Sequence, residues 1–247
     1  KFSIEVYQDL FLNIDFKDSI QSNIIDSELL KEKSYRYSDL PFYILKSIIE
    51  LHYNQPLDEL IQQHFYKSLG ANLSTYNPLN KFDMDNIIPT EIDTYYRFGK
   101  IQGYVHDAGA AMQGGVGGHA GLFSNANDVA KLMQLYLQNG YYGGDNYFSS
   151  RTFELFNTCH YCDQNNRRGI GLDKPQLGSV GPTCGCLSMQ SFGHSGFTGT
   201  YAWADPDKEI VYVFLANRTF PTSKVNRLLK ENIRTEIQRL IYESIIE

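Results

Sequence analysis

The sequence predicts an α+β fold: an antiparallel sheet flanked by helices, joined to a mainly helical region. Three observations carry this. Apolar residues recur at helical spacing at Leu40, Ile44, Leu45, Ile48, Ile49 and Leu51. Two strand-like runs, Thr200 to Ala204 and Ile210 to Ala216, surround Asp205-Pro206-Asp207-Lys208, which reads as a β-hairpin with a four-residue loop. An amphipathic helix follows, with Val225, Leu228, Leu229, Ile233, Ile237, Leu240, Ile241 and Ile245 on its apolar face. Helices, then a hairpin, then a terminal helix on the sheet is an α+β order. On this reading, residues 1–160 are mainly helical and 161–247 supply the hairpin and terminal helix.

Along the chain, residues 1–36 are mixed and polar and give no start signal. Ser38 and Asp39 are good N-cap residues and Pro41 suits a first turn, so Tyr37 sits just before a helix N-terminus. A second helix follows Asn54-Gln55-Pro56, with Leu57, Leu60, Ile61 and Phe65 on one face, and Gly70 closes it in a left-handed conformation. Residues 71–110 show no period and read as a long, partly ordered connection. The glycine-dense run Gly114 to Gly121 lacks a Gly-Lys-[Ser/Thr] ending, so it reads as a packed turn rather than a phosphate loop. Asn125 and Asp128 form a capping pair for a helix through Val129, Leu132, Met133 and Tyr136, ended by Gly140. A turn at 141–145 and a short helix from Ser150 to Phe156 complete this part. The Ile210–Ala216 run is apolar on both faces and is expected as a central strand.

Composition excludes several classes. The 247 residues are 42% hydrophobic and 20% charged, enough to bury a core. The net charge of −6 argues against a general nucleic-acid binder. No apolar run reaches the length of a membrane span. The chain starts at Lys1 without a signal-peptide pattern, which suits an excised or processed piece. The 18 Tyr and 15 Phe, against one Trp, read first as core packing and second as groove lining. Cys159, Cys162, Cys184 and Cys186 admit three readings: disulfides, most simply from one pair to the other; a four-thiolate zinc site; or free thiols.

Two triplets carry the chemistry: Tyr37-Ser38-Asp39 at a helix mouth, and His194-Ser195-Gly196 leading to an apolar strand. Together they resemble the tyrosine and Lys/His-Ser/Thr-Gly triplets of the serine β-lactamase and penicillin-binding-protein superfamily, especially its class C and esterase-like branch. Gly114 to Ser124 is similar to that family's Gly-Gly-x-x-Gly-x-Ala-Gly-Leu-Phe-Ser segment. Trp203-Ala204-Asp205-Pro206 and Phe214 to Arg218 also match its wording, so the resemblance runs from Tyr37 onward.

The resemblance implies a β-lactamase/transpeptidase-like fold of which this chain is the C-terminal portion, incomplete at its N-terminus. It implies acyl transfer to a serine, with cell-wall peptides, β-lactams or esters as substrates and no cofactor. Tyr37 would handle the nucleophile's proton, its phenol helped by the lysine of a Ser-x-x-Lys motif. Asp39, where the family usually has Asn, would accept a hydrogen bond from that lysine. His194 and Ser195 would orient the substrate, Gly196 would leave room for the acyl group, and the Phe197 amide would be one oxyanion donor. No serine in this chain has a lysine three residues later. The segment alone is therefore expected to be inactive, and a non-catalytic cell-wall-fragment or partner-binding module with the same fold is the rival. The tyrosine-rich wording resembles β-lactamase-like domains fused to family-3 glycoside hydrolases in Bacteroidetes-type bacteria. That implies an extracytoplasmic, cell-envelope address and an upstream part of the same polypeptide. The Ile210–Ala216 edge is expected either to dimerise or to be covered by the first thirty residues.

Overall fold

The computed structural model describes residues 1–32, 34–176 and 181–245. The chain forms two compact units. One comprises Lys1–His64, Ser74–Phe123 and Phe220–Thr222; the other comprises Phe65–Leu73, Ser124–Thr219 and Ser223–Glu247. The main change of unit falls at 123–124. Positions 177–180 and 246–247 of the expected sheet-and-helix region lie outside the described residues.

The first unit opens with an antiparallel hairpin, β1 (Phe2–Tyr7) and β2 (Leu10–Asn13), followed by α1 (Phe16–Ile25). Its pattern was present in the sequence: Ile4 and Val6 alternate with polar Ser3 and Glu5, and both are buried against Val105, Ala110 and Ala111. The expected helix is α2 (Leu40–Tyr53), with Pro41 in its first turn and left-handed Asn54 at its end. Next, α3 (Leu57–Ile61) runs into a wider π-type turn at Gln62–Tyr66, and Gly70 is left-handed as expected. The 71–110 connection is more ordered than its sequence suggested. It holds the hairpin β3 (Glu91–Asp93) and β4 (Gly99–Ile101), then α4 (Ala108–Met112). Three-residue strands are too short to show a period. The glycine run is a packed turn, with Gly114, Gly115 and Gly121 at positive φ.

In the second unit, Asn125 caps α5 (Ala126–Leu137) by accepting from the Asp128 amide at 2.9 Å. The reciprocal half of a capping box is not made. Asp128 instead accepts from the Leu73 amide at 2.7 Å and pairs with Lys131 at 3.2 Å. A two-rung hairpin, β5 (Tyr141–Tyr142) and β6 (Asp145–Asn146), leads to α6 (Ser150–Asn157). The sheet is β7 (Phe192–Ser195), β8 (Tyr201–Asp205) and β9 (Ile210–Phe214), antiparallel in that order. On one face Phe192 and Ala204 pack with Met133 of α5 and Phe153 of α6. On the other, Tyr201, Trp203 and Tyr212 pack with Ile241, and Trp203 is only 1% exposed.

Two expectations are corrected here. β9 is an edge strand, with β8 as its one strand neighbour among the described residues, while β1 and β2 form a sheet of their own. Its apolar character reflects cover on both faces, by α5 and by the C-terminal helix, whose Arg234 carbonyl accepts from the Tyr212 hydroxyl. Face burial does not require two hydrogen-bonded neighbours. The terminal helix is also broken, into α7 (Arg227–Lys230) and α8 (Ile233–Glu243), by left-handed Asn232 at φ 53°.

The cysteines close within each pair rather than between pairs: Cys159–Cys162 and Cys184–Cys186, with Cα separations of 5.6 and 5.4 Å. Such separations suit a bridge, so close spacing alone made the local pairing feasible. With all four sulfurs in disulfides, neither the zinc reading nor the free-thiol reading of Cys159, Cys162, Cys184 and Cys186 has a thiol to use.

Candidate active site

Tyr37 and Asp39 belong to the first unit, and His194, Ser195, Gly196 and Phe197 to the second. The tyrosine side is a helix mouth. Tyr37 is 62% exposed. The Ser38 hydroxyl accepts from the Leu40 amide at 3.2 Å, and the Asp39 carbonyl accepts from the Phe42 amide at 2.9 Å. Asp39 occupies the N-cap position, yet its carboxylate makes no capping bond. It is directed elsewhere: ligand atoms of Asp39, Asp107 and His119 all lie within 4.8 Å of one another. Asp107 caps α4, accepting from the Ala110 amide at 2.7 Å, and also accepts from His119 Nε2 at 2.9 Å. That imidazole bond holds the Asp107 carboxyl below its ordinary range, against the opposing effect of burial.

The irregular segment leading to Asp107 is pinned from behind. Buried Arg97 pairs with Asp93 at 3.1 Å and donates to the carbonyls of Val105 and His106. Burial pushes the Asp93 carboxyl up, but amide donors from Tyr95 and Tyr96 and the Arg97 side chain outweigh it and hold it low.

The histidine side is the C-terminal end of β7. His194 is in register with Ala202 of β8, and Ser195 with Tyr201. This corrects one expectation: the triplet closes a strand and starts a turn instead of leading straight into the next strand. His194 Nδ1 donates to the Ser195 carbonyl at 2.9 Å, which leaves Nε2 to accept from the Arg168 guanidinium at 3.3 Å. Arg168 and Arg167 also reach Asp173, at 3.5 and 3.0 Å. Asp173 bonds through both backbone groups to Gly193 on β7. Gly196 donates to the Thr200 carbonyl at 2.9 Å, and a Cβ there would overlap the Thr200 hydroxyl. Phe197 sits in the turn, 64% exposed. Its carbonyl accepts from Arg218 Nε at 2.8 Å, and the same guanidinium lies 4.4 Å from its ring centroid.

Sequence reasoning missed Arg168, Asp107 and His119. Arg168 lies 26 positions before His194, and Asp107 lies 12 before His119, so neither pairing leaves a local pattern. A separate cavity of about 400 Å³ in the second unit is lined by Lys174, Arg167, Asn157, Gln190 and the Cys159–Cys162 bridge. None of the residues chosen from the sequence as catalytic or substrate-binding lines it. Burial lowers the Lys174 amine to about 8.

A beta-lactamase family model matches residues 22–233. Over 195 residues the chain is 38% identical to a protein of Escherichia coli O157:H7 named "Putative D-alanyl-D-alanine carboxypeptidase", covering 74% of this chain and 44% of that one. A protein of the same name from Salmonella enteritidis is also 38% identical, with 45% of its length covered. The chain thus spans less than half the length of these relatives. Among solved structures, a beta-lactamase from Mycobacterium bovis aligns with a TM-score of 0.56 at 16% identity, covering 83% of this chain and 62% of that one. A penicillin-binding-protein homologue from Caulobacter crescentus aligns with a TM-score of 0.55 at 13% identity, covering 82% and 58%. These likenesses establish the β-lactamase/transpeptidase-like fold. With the family model spanning most of its length, the chain belongs to the beta-lactamase family, among the β-lactamase and penicillin-binding-protein-like serine hydrolases.

Proposed function

We propose that this chain contributes the tyrosine and histidine parts of a serine hydrolase site acting on cell-wall peptides, with β-lactams and esters as chemically related substrates. The observation that carries the peptide reading is the Arg168–His194 pair at the end of β7. A guanidinium beside an imidazole suits the terminal carboxylate of a peptide, which an ester need not carry. The name of the 38%-identical relatives supports the same choice. Tyr37 would take the nucleophile's proton, Asp39 would receive the ammonium of a Ser-x-x-Lys lysine, and the Phe197 amide would face the oxyanion. No Ser-x-x-Lys lies within the 247 residues. In this reading the nucleophile comes from another part of a longer polypeptide in the cell envelope, in the class C and esterase-like branch. A fusion to a family-3 glycoside hydrolase is part of the same proposal, as is self-association through the β9 edge.

The test is made in a polypeptide that carries both this chain and a Ser-x-x-Lys segment. Arg168→Ala should lower turnover of an acyl-D-Ala-D-Ala peptide about 100-fold while ester turnover changes only a few-fold, as expected when a buried or bidentate charge contact is lost. Equal losses on both substrates would remove the carboxylate role. The second reading, a binding module without turnover, is favoured by the missing Ser-x-x-Lys. It wins if the full polypeptide binds a muropeptide but forms no acyl adduct.

A further inference from the structure

We propose that Asp107 and His119 are positioning residues for the Tyr37-Ser38-Asp39 triplet: together they fix the Asp39 carboxylate and the first turn of α2. The proposal deepens the reading above and rests on it for the reaction, though its geometry lies wholly within the first unit.

The observations form one connected clamp. His119 presents its edge to Asp107 at 2.9 Å and its face to Tyr43, stacked at 4.8 Å between centroids with 14° between planes. Tyr43 stands one helical turn beyond Asp39, to whose carbonyl its amide bonds. The imidazole therefore joins the cap of α4 to the first turn of α2. Its side chain is only 5% exposed, and Nδ1 is buried without a hydrogen-bond partner. A ring this enclosed has its Nε2 committed to Asp107, so it acts through its neighbours and not on substrate.

The glycines show how close the approach is. A Cβ at Gly109 of α4 would overlap the Tyr43 hydroxyl. A Cβ at Gly118, next to His119, would overlap the Phe42 carbonyl oxygen of α2. The glycine run thus seats the first turn of α2, which its reading as a packed turn did not anticipate.

The electrostatics explain why the donor matters. The Asp39 and Asp107 carboxylates lie within 4.8 Å of each other, where like charges repel. The His119 N–H offsets that repulsion at Asp107. The other groups facing the cluster are Tyr43 from α2, whose phenol is pushed up by burial and then by Asp107 and Asp39, Gln113, which bonds Tyr43, and His106 beside Asp107.

The experiment compares four forms of the 247-residue chain by carbon-13 NMR of aspartate carboxyls and tyrosine rings. His119→Phe keeps a ring against Tyr43 but removes the donor. His119→Gln keeps a donor. Asp107→Asn keeps the α4 cap but removes one charge. The expected result is shifted Asp39 carboxyl and Tyr37 ring signals in His119→Phe and Asp107→Asn, with His119→Gln close to the parent. Asp39 and Tyr37 signals that are the same in all forms would overturn the proposal, as would equal shifts for Phe and Gln. If His119→Phe does not fold, Asp107→Asn decides by the same signals. In a polypeptide supplying Ser-x-x-Lys, His119→Phe should lower the acylation rate about 100-fold with KM little changed, the loss expected from a misplacement near 1 Å, and Gln should restore it. Absence of acylation in the parent polypeptide would sink the functional reading, while the NMR comparison would still decide the positioning.

Discussion

The His194 strand and the Tyr37 helix are held by different means. β7 lies in a sheet packed on both faces, with Phe192 fully buried and Trp203 and Tyr201 almost so. α2 carries a comparable number of apolar residues, yet Lys46 is its one buried side chain. Leu45, Ile48 and Leu51 are 49%, 55% and 84% exposed. The His194 strand is thus fixed by the core of its own unit. The Tyr37 helix relies on a few specific contacts around its first turn: His119 on Tyr43, and backbone approach at Gly109 and Gly118. An element with little core behind it should tolerate loss of apolar bulk and be sensitive to loss of particular hydrogen bonds.

The largest expected effect is catalytic. In a polypeptide that supplies Ser-x-x-Lys, Tyr37→Phe should cut the acylation rate by about a hundred- to ten-thousandfold, the usual worth of a general acid–base group. Thermal stability should not change, because the side chain is exposed. An unchanged acylation rate would leave Tyr37 as an ordinary residue before a helix.

The next effect sharpens the contrast in packing. Trp203→Ala should destabilise the fold by about 3–5 kcal/mol, as for large-to-small changes in a closed core. Ile48→Ala on α2 should cost under about 1 kcal/mol in the same urea titration. Similar costs for both would show that the face of α2 is covered in solution.

Smaller still is the contribution of the disulfides. They close very short loops, with sequence separations of three and two. Loop-closure entropy for such loops is worth at most about 2 kcal/mol per bridge. Reductant should therefore lower the melting temperature by a few degrees, and a chelator should leave it alone.

The smallest effect is a pH slope from Lys174, whose amine burial lowers from 10.5 to about 8. Between those values the unfolded chain binds a proton that the folded chain does not, so stability from this group rises with pH across the window. Below about pH 8 both forms carry the charge and the burial cost stands in full. Lys174→Gln should flatten the slope between pH 8 and 10.5 in denaturant titrations; an unaltered slope would place the amine in solvent.

The comparison also explains what the sequence could reveal. α5 was legible because Asn125, the helical period and Gly140 agree locally. The β8–β9 hairpin was legible for the same reason. Whether β9 is central or an edge depends on which strands pair with it, which an apolar run does not encode. The break at Asn232 was marked by the residue most tolerant of left-handed backbone after glycine, within an otherwise continuous apolar period. For the site, the two triplets were visible because each is contiguous. Asp107, His119 and Arg168 were not, because their roles arise from contacts between distant segments. The glycine run was recognised as a turn, but its task of seating Phe42 at Gly118 and Tyr43 through the His119 ring appears only in three dimensions.

The most direct test of the account is acyl labelling of the 247-residue chain alone. The chain is incubated with a fluorescent penicillin and read by intact-mass and peptide mass spectrometry. With no Ser-x-x-Lys in the sequence, the account predicts no covalent adduct, while a polypeptide that also carries that motif is labelled on its serine. A stoichiometric penicilloyl adduct on any serine within these 247 residues would contradict it.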